Sequence, residues 1–140
     1  AGGHLALWAA GRSRLGQGQE LHRENPLIPL GAVGLAAITD LEDYARGNNS
    51  CQEVTTQLIG GAPDRFPDRY DQASPAELGV DVPVVLFQGG ADTIVPPAQA
   101  GAVSGANIVS FEEAGHFDLI HTGTPAFPKL VNTLRELFSQ

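Results

Sequence analysis

Apolar residues along this chain fall either into short unbroken runs or into runs with helical spacing, and segments rich in glycine, proline and charge separate them. Three runs lack the alternation of a half-exposed strand and are short enough to be strands buried on both faces of a parallel sheet. They are Ala32 to Ile38, bounded by Gly31 and Asp40; Val82 to Phe87, closed by Gly89-Gly90; and Asn107 to Phe111. Helical spacing marks the remaining elements. Gly2 to Gly11 is apolar nearly all round and stops at Gly11 with cations following. Asp40 reads as the N-cap of a short helix through Tyr44. Residues 51 to 59 place Val54, Leu58 and Ile59 on one side and end at Gly60-Gly61. Pro96 to Val103 has room for a short helix. From Thr124, the positions of Phe127, Leu130, Val131, Leu134, Leu137 and Phe138 define an amphipathic helix to the C-terminus. Gly16 to Pro29 reads as a loop, and Pro63 to Pro75 as a turn-rich segment. Helices alternating with strands predict an α/β fold with a parallel sheet of about three strands and right-handed crossovers.

A helix apolar on nearly every side belongs inside a larger body, yet this one opens the chain. The sequence also contains no methionine. Both observations predict that residues 1–140 are the C-terminal portion of a single domain that continues upstream.

Composition narrows the partners. The 140 residues suit one domain or part of one, and 16 acidic against 8 basic residues give a net charge of -8. That balance argues against nucleic acid and against anionic membrane surfaces. No apolar run reaches the roughly 18 residues of a membrane span. No signal peptide is visible, and the compartment stays undetermined, with the cytoplasm slightly favoured. Cys51 has no disulfide partner, no Cys/His spacing suits a metal, and no phosphate-binding glycine loop occurs, so neither metal nor cofactor is expected. Cys51 is expected to pack as a small apolar side chain.

In open parallel sheets reactive groups gather beyond the carboxyl ends of the strands. Two such ends carry chemistry here. Phe87-Gln88-Gly89-Gly90-Ala91-Asp92 sets a carboxylate after the second strand, and Phe111-Glu112-Glu113-Ala114-Gly115-His116 sets an imidazole after the third. Asp followed by His supplies the orienting acid and general base of a hydrolytic triad, in which the nucleophile comes first in the chain.

These motifs resemble those of α/β-hydrolases, in particular bacterial esterases, lipases and prolyl-oligopeptidase-like hydrolases. Ala1-Gly2-Gly3-His4-Leu5-Ala6-Leu7-Trp8 is similar to the continuation of a Gly-His-Ser-Ala-Gly-Gly nucleophile elbow, whose serine stands immediately before the residue that is Ala1 here. The resemblance extends through Leu58 to Pro63, Pro67 to Tyr70 and Ala73 to Pro75, then the acid loop from Val84 to Pro96 and the histidine loop Ala114-Gly115-His116-Phe117. It implies the C-terminal half of a serine hydrolase of carboxylic esters, with Asp92 as the acid, His116 as the base and the amide of Ala1 as an oxyanion donor. It also implies that the nucleophile lies outside the chain, so that the 140 residues alone are inactive. Asp92 and His116 are 24 positions apart, fewer than such proteins commonly have, which predicts a shortened helix after Pro96. A small ester or amide is the implied substrate. Amide, peptide and formamide hydrolysis use the same triad, and a non-catalytic binding module is the alternative from another class.

Competing readings of single residues are plain. Asp92 also suits a helix cap, Asp118 a rival acid, and His4 a structural side chain. His22 and His121 read as solvated. His116, Asp118 and His121 lack the spacing of a zinc site. None of the serines in the chain lies in Gly-x-Ser-x-Gly, and Cys51 reads as a poor nucleophile at a helix start far from a strand end.

Overall fold

The computed structural model describes residues 1–139. Its centre is a parallel sheet in the order β1–β2–β3, formed by Ala32–Leu35 (β1), Val84–Gly89 (β2) and Asn107–Phe111 (β3). Val33 pairs with Val85, and Phe87 pairs with Leu35 on one side and Val109 on the other. The helices are Gly2–Gly11 (α1), Leu41–Ala45 (α2), Ser50–Ile59 (α3), Pro67–Ala73 (α4), Pro75–Leu78 (α5) and Ala126–Phe138 (α6). Pro97–Gly101 forms a short 3-10 helix, in place of a full crossover helix. No described helix is long and apolar enough to cross a membrane.

Successive residues of a strand point to opposite faces, and β2 accordingly feeds two cores. Leu86 packs with Leu7, Ala10 and Val103, whereas Phe87 packs with Tyr44, Val95 and Leu119. Burying a side chain such as Leu7 contributes about 2 kcal/mol. α1 lies against β1 and the segment that follows it, and it can approach because a Cβ at Gly3 would stand 2.8 Å from the Cβ of Ala37. One side of α1 is covered and the other is open: Leu7 is inaccessible, but Leu5 is 60% exposed.

Several expectations change. Only β2 is buried as a central strand. β3 is mostly exposed because it is an edge, paired with β2 alone, and β1 is likewise paired on one side only among the described residues. Pro63 to Pro75 is not a run of turns. It contains a 3-10 turn at Pro63–Arg65 and then α4 and α5, each with proline at its first position, where a missing N–H costs nothing. Tyr70 on α4 is fully buried and its hydroxyl donates to the Gly61 carbonyl.

α3 begins one residue before its predicted start and ends at Ile59 as predicted, but it turns the other way. Asn49 and Gln52 form a capping box, and that draws Gln52, with Thr55 one turn on, toward the body. Val54 and Leu58, predicted to pack, are exposed. α6 also covers only part of its apolar face: Ala126 is buried and Leu130 reaches the Phe87 cluster, while Phe138 is exposed.

Candidate active site

Asp92 and His116 lie on the loops after β2 and β3, and those loops are bound to each other. The Gly90 amide donates to Phe111 O (2.9 Å) and the Ala91 amide to Ala114 O (3.1 Å). A Cβ at Gly89 would collide with the Ala114 carbonyl, and one at Gly90 with the backbone of Glu112. The two glycines are therefore required by close backbone approach.

That approach brings the acid to the base. His116 Nδ1 donates to Asp92 Oδ2 at 2.8 Å, and Asp92 Oδ1 accepts from the amides of Ile94 (2.8 Å) and Val95 (2.9 Å). Asp92 does not cap the short helix after Pro96, which has no side-chain cap: one of its oxygens holds the backbone of its own loop, and the other holds the imidazole. The Asp92 side chain has no exposure, against 25% for His116. A buried carboxylate in this position can only accept, so Nδ1 carries the ring proton. In the neutral ring Nε2 then keeps its lone pair, and it has no hydrogen-bond partner among the described residues. Asp118, the rival acid, caps its own loop by accepting from the Gly115 amide (2.7 Å).

Beneath the acid loop lies Gln88, 3% exposed, to which the sequence reading gave no role. Its Nε2 donates to Gly89 O (3.0 Å) and Val95 O (3.2 Å), tying the two ends of the loop that carries Asp92. A buried amide before a Gly-Gly turn was the available signal. Gln99 does comparable work further on: its Oε1 accepts from the Thr39 and Asp40 amides, and its Nε2 donates to Asp43.

Ala1 stands at the start of α1, where its carbonyl accepts the first helical bond from the Leu5 amide (3.1 Å). Ala1 and His116 line one cavity of about 390 Å³ together with Ile38, Tyr44, Cys51 and Val54. The sequence separates these residues by most of its length, and the fold gathers them. The Tyr44 hydroxyl donates to Ile94 O (2.9 Å), and its pKa is raised by burial first and then by the nearby Cys51 and Asp92. Cys51 does not pack as a small apolar side chain: it is exposed and faces this cavity, because α3 turns Gln52 and Thr55 inward instead.

The other histidines are bonded elsewhere. His4 Nε2 donates to Ala73 O (2.8 Å), and burial lowers its pKa. His22 is half-buried, not solvated, since its loop folds back and its Nδ1 donates to Leu15 O (2.7 Å). His121 is exposed and accepts from the Gly123 amide (3.1 Å). Among the described residues, no three His, Cys, Asp or Glu side chains are grouped to hold a metal ion.

Comparison with known proteins agrees with this architecture. The model of the family described as BD-FAE matches residues 1–106. A truncated form of a carbohydrate esterase from gut microbiota superposes with a TM-score of 0.73 at 20% identity, covering 99% of this chain and 57% of that one. Esterase B from Lactobacillus rhamnosis gives 0.70 at 15% identity, with 98% and 49% covered. The acylaminoacyl peptidase of Pyrococcus horikoshii gives 0.72 at 17% identity, with 99% and 22% covered. The chain thus spans about half the length of the two esterases, and at these identities the likeness is one of fold. No curated protein matches it. The family match takes in α1, all of β1 and β2 and the acid loop, and the chain belongs to the BD-FAE family, an esterase-like family of α/β-hydrolase fold.

Proposed function

We propose that this chain supplies the acid and base of a serine hydrolase acting on carboxylic esters. The observation that carries the reading is the Asp92–His116 hydrogen bond, with His116 lining a cavity shared with the start of α1. The reading takes residues 1–140 as the C-terminal portion of one domain and places the nucleophilic serine immediately before Ala1. The half-length coverage of the esterases is consistent with it.

In this mechanism His116 Nε2 removes the serine proton as the oxygen attacks the ester carbonyl, and returns it to the departing alkoxide. Water then repeats the sequence on the acyl-enzyme. Asp92 holds the tautomer with hydrogen on Nδ1 and stabilises the imidazolium that forms. The peptide N–H of Ala1 donates to the developing oxyanion, assisted by the positive end of the α1 dipole. Losing one such donor costs on the order of 3 kcal/mol in other hydrolases. The 140 residues alone lack the nucleophile and are inactive on this account.

The test compares this chain with a version extended upstream through the serine, using p-nitrophenyl butyrate. The reading requires turnover only by the extended version, lost in His116→Ala. Turnover by the 140-residue chain that His116→Ala abolishes would contradict it. Likeness to an acylaminoacyl peptidase favours a second reading, amide hydrolysis by the same groups. A p-nitroanilide with the same acyl group, hydrolysed faster than the ester, would select it.

A further inference from the structure

α3 presents an apolar stripe to the outside, which is unusual for a helix in a small α/β body. Cys51, Val54 and Leu58 recur at intervals of three and four, and the last two are 54% and 72% exposed. The stripe borders two cavities that meet at Ala1. Cys51 and Val54 wall the one that contains His116. Leu58 and Ile59 wall a second, of about 530 Å³, with Leu5, Trp8 and Leu41.

Neither cavity is lined by an Asp, Glu, Lys or Arg side chain among the described residues. His4, which reaches the second, is bonded to the Ala73 carbonyl, and burial lowers its pKa. Charge enters only where the groove leaves Leu58 and Ile59 and meets Glu20 and Arg69. Where Ala1 carries a peptide N–H and no free amine, a carboxylate or ammonium placed in the groove of Leu5, Trp8 and Leu58 would lose water without gaining an oppositely charged side chain.

We propose that the α3 stripe divides the substrate: the groove lined by Leu5, Trp8, Leu41 and Leu58 takes an uncharged, apolar acyl chain, and the cavity lined by Val54, Cys51 and His116 takes the alcohol. The proposal rests on the ester-hydrolase reading above. The assignment of the two arms follows from the chemistry. The general acid must reach the leaving oxygen, so the alcohol lies on the His116 side of Ala1 and the acyl chain on the other. Acyl chains of several carbons with no terminal charge are the class that fits.

Trp8 is the chain's single tryptophan and lines the acyl groove, so its emission reports occupancy without any need for catalysis. The 140-residue chain, acetylated at Ala1 so that no ammonium lies in the groove, is titrated with methyl hexanoate and with monomethyl adipate, which has a similar length and ends in a carboxylate. Saturable change in emission is expected with methyl hexanoate, at least about tenfold weaker with monomethyl adipate and about tenfold weaker in Leu58→Asp. In the serine-bearing version, Leu58→Asp lowers the hexanoate-to-acetate ratio of kcat/KM for p-nitrophenyl esters, and Val54→Asp lowers the butyl-to-methyl ratio for alkyl acetates. Unchanged Trp8 emission, equal binding of the two probes, or the reversed pattern in the two variants would overturn the proposal. Absence of hydrolysis with saturable Trp8 binding would instead remove the hydrolase reading and leave the ligand class of the groove standing.

Discussion

His116 Nδ1 stands 2.8 Å from Asp92 Oδ2, and the carboxylate that receives this bond is itself fixed by two amides through its other oxygen. The arrangement separates two jobs within one side chain. Asp92→Asn can keep the bonds from the Ile94 and Val95 amides through its carbonyl oxygen, but it turns an N–H toward Nδ1 and forces the opposite tautomer. In the serine-bearing version, kcat is expected to fall about 10⁴-fold, as in other triads, with little change in Tm. A large drop in Tm with only a slight loss of kcat would mean that Asp92 serves its loop alone.

The two loops touch through backbone, not side chains. Gly89→Ala and Gly90→Ala each place a methyl against a carbonyl or backbone of the histidine loop, and each should destabilise the protein by about 1–3 kcal/mol. Chemical denaturation measures the cost. The downfield proton on His116 Nδ1, seen by NMR, should weaken or vanish in the same variants.

Gln99→Leu tests the buried amide that holds the turn between β1 and α2. The substitution leaves the Thr39 and Asp40 amides without their acceptor, in surroundings where Thr39 and Gln99 are almost inaccessible. The expected cost is about 3 kcal/mol, read from urea unfolding. Retained stability would show that water replaces the side chain.

His4 makes stability depend on pH. Burial lowers its pKa from the ordinary value of 6.5, and the Ala73 hydrogen bond only partly offsets this. Below that value the unfolded chain takes up a proton that the folded chain resists, so the contribution of the neutral side chain is present above about pH 6.5 and is lost as pH falls toward the lowered folded value. Tm measured from pH 8 to pH 5 should therefore drop less in His4→Gln than in the parent. Parallel curves would contradict the assignment.

The meeting of Asp92 and His116 was legible because each follows an apolar run that reads as a strand, and a parallel sheet places all such ends at one edge. Asp40 as a cap and the bounds of β3 were legible for the same local reason, since each depends on neighbouring residues. What the pattern could not convey is which face an element buries. α3 has an apolar side, but its capping box draws Gln52 inward, so Val54 and Leu58 each face a cavity instead of the core. Cys51 moves into the site by the same rotation. α4 and α5 were hidden because proline both breaks helices and begins them, and only the flanking geometry distinguishes the two. Gln88 and Gln99 escaped notice because a glutamine declares nothing until its partners, distant in sequence, come near.

Active-site labelling tests the central claim most directly. The serine-bearing version is treated with a fluorophosphonate and digested, and the adduct is located by mass spectrometry. The account predicts one adduct, on the residue immediately before Ala1, formed far more slowly in His116→Ala. An adduct on Cys51 or on any serine within residues 1–140, or labelling that is indifferent to His116, would contradict it.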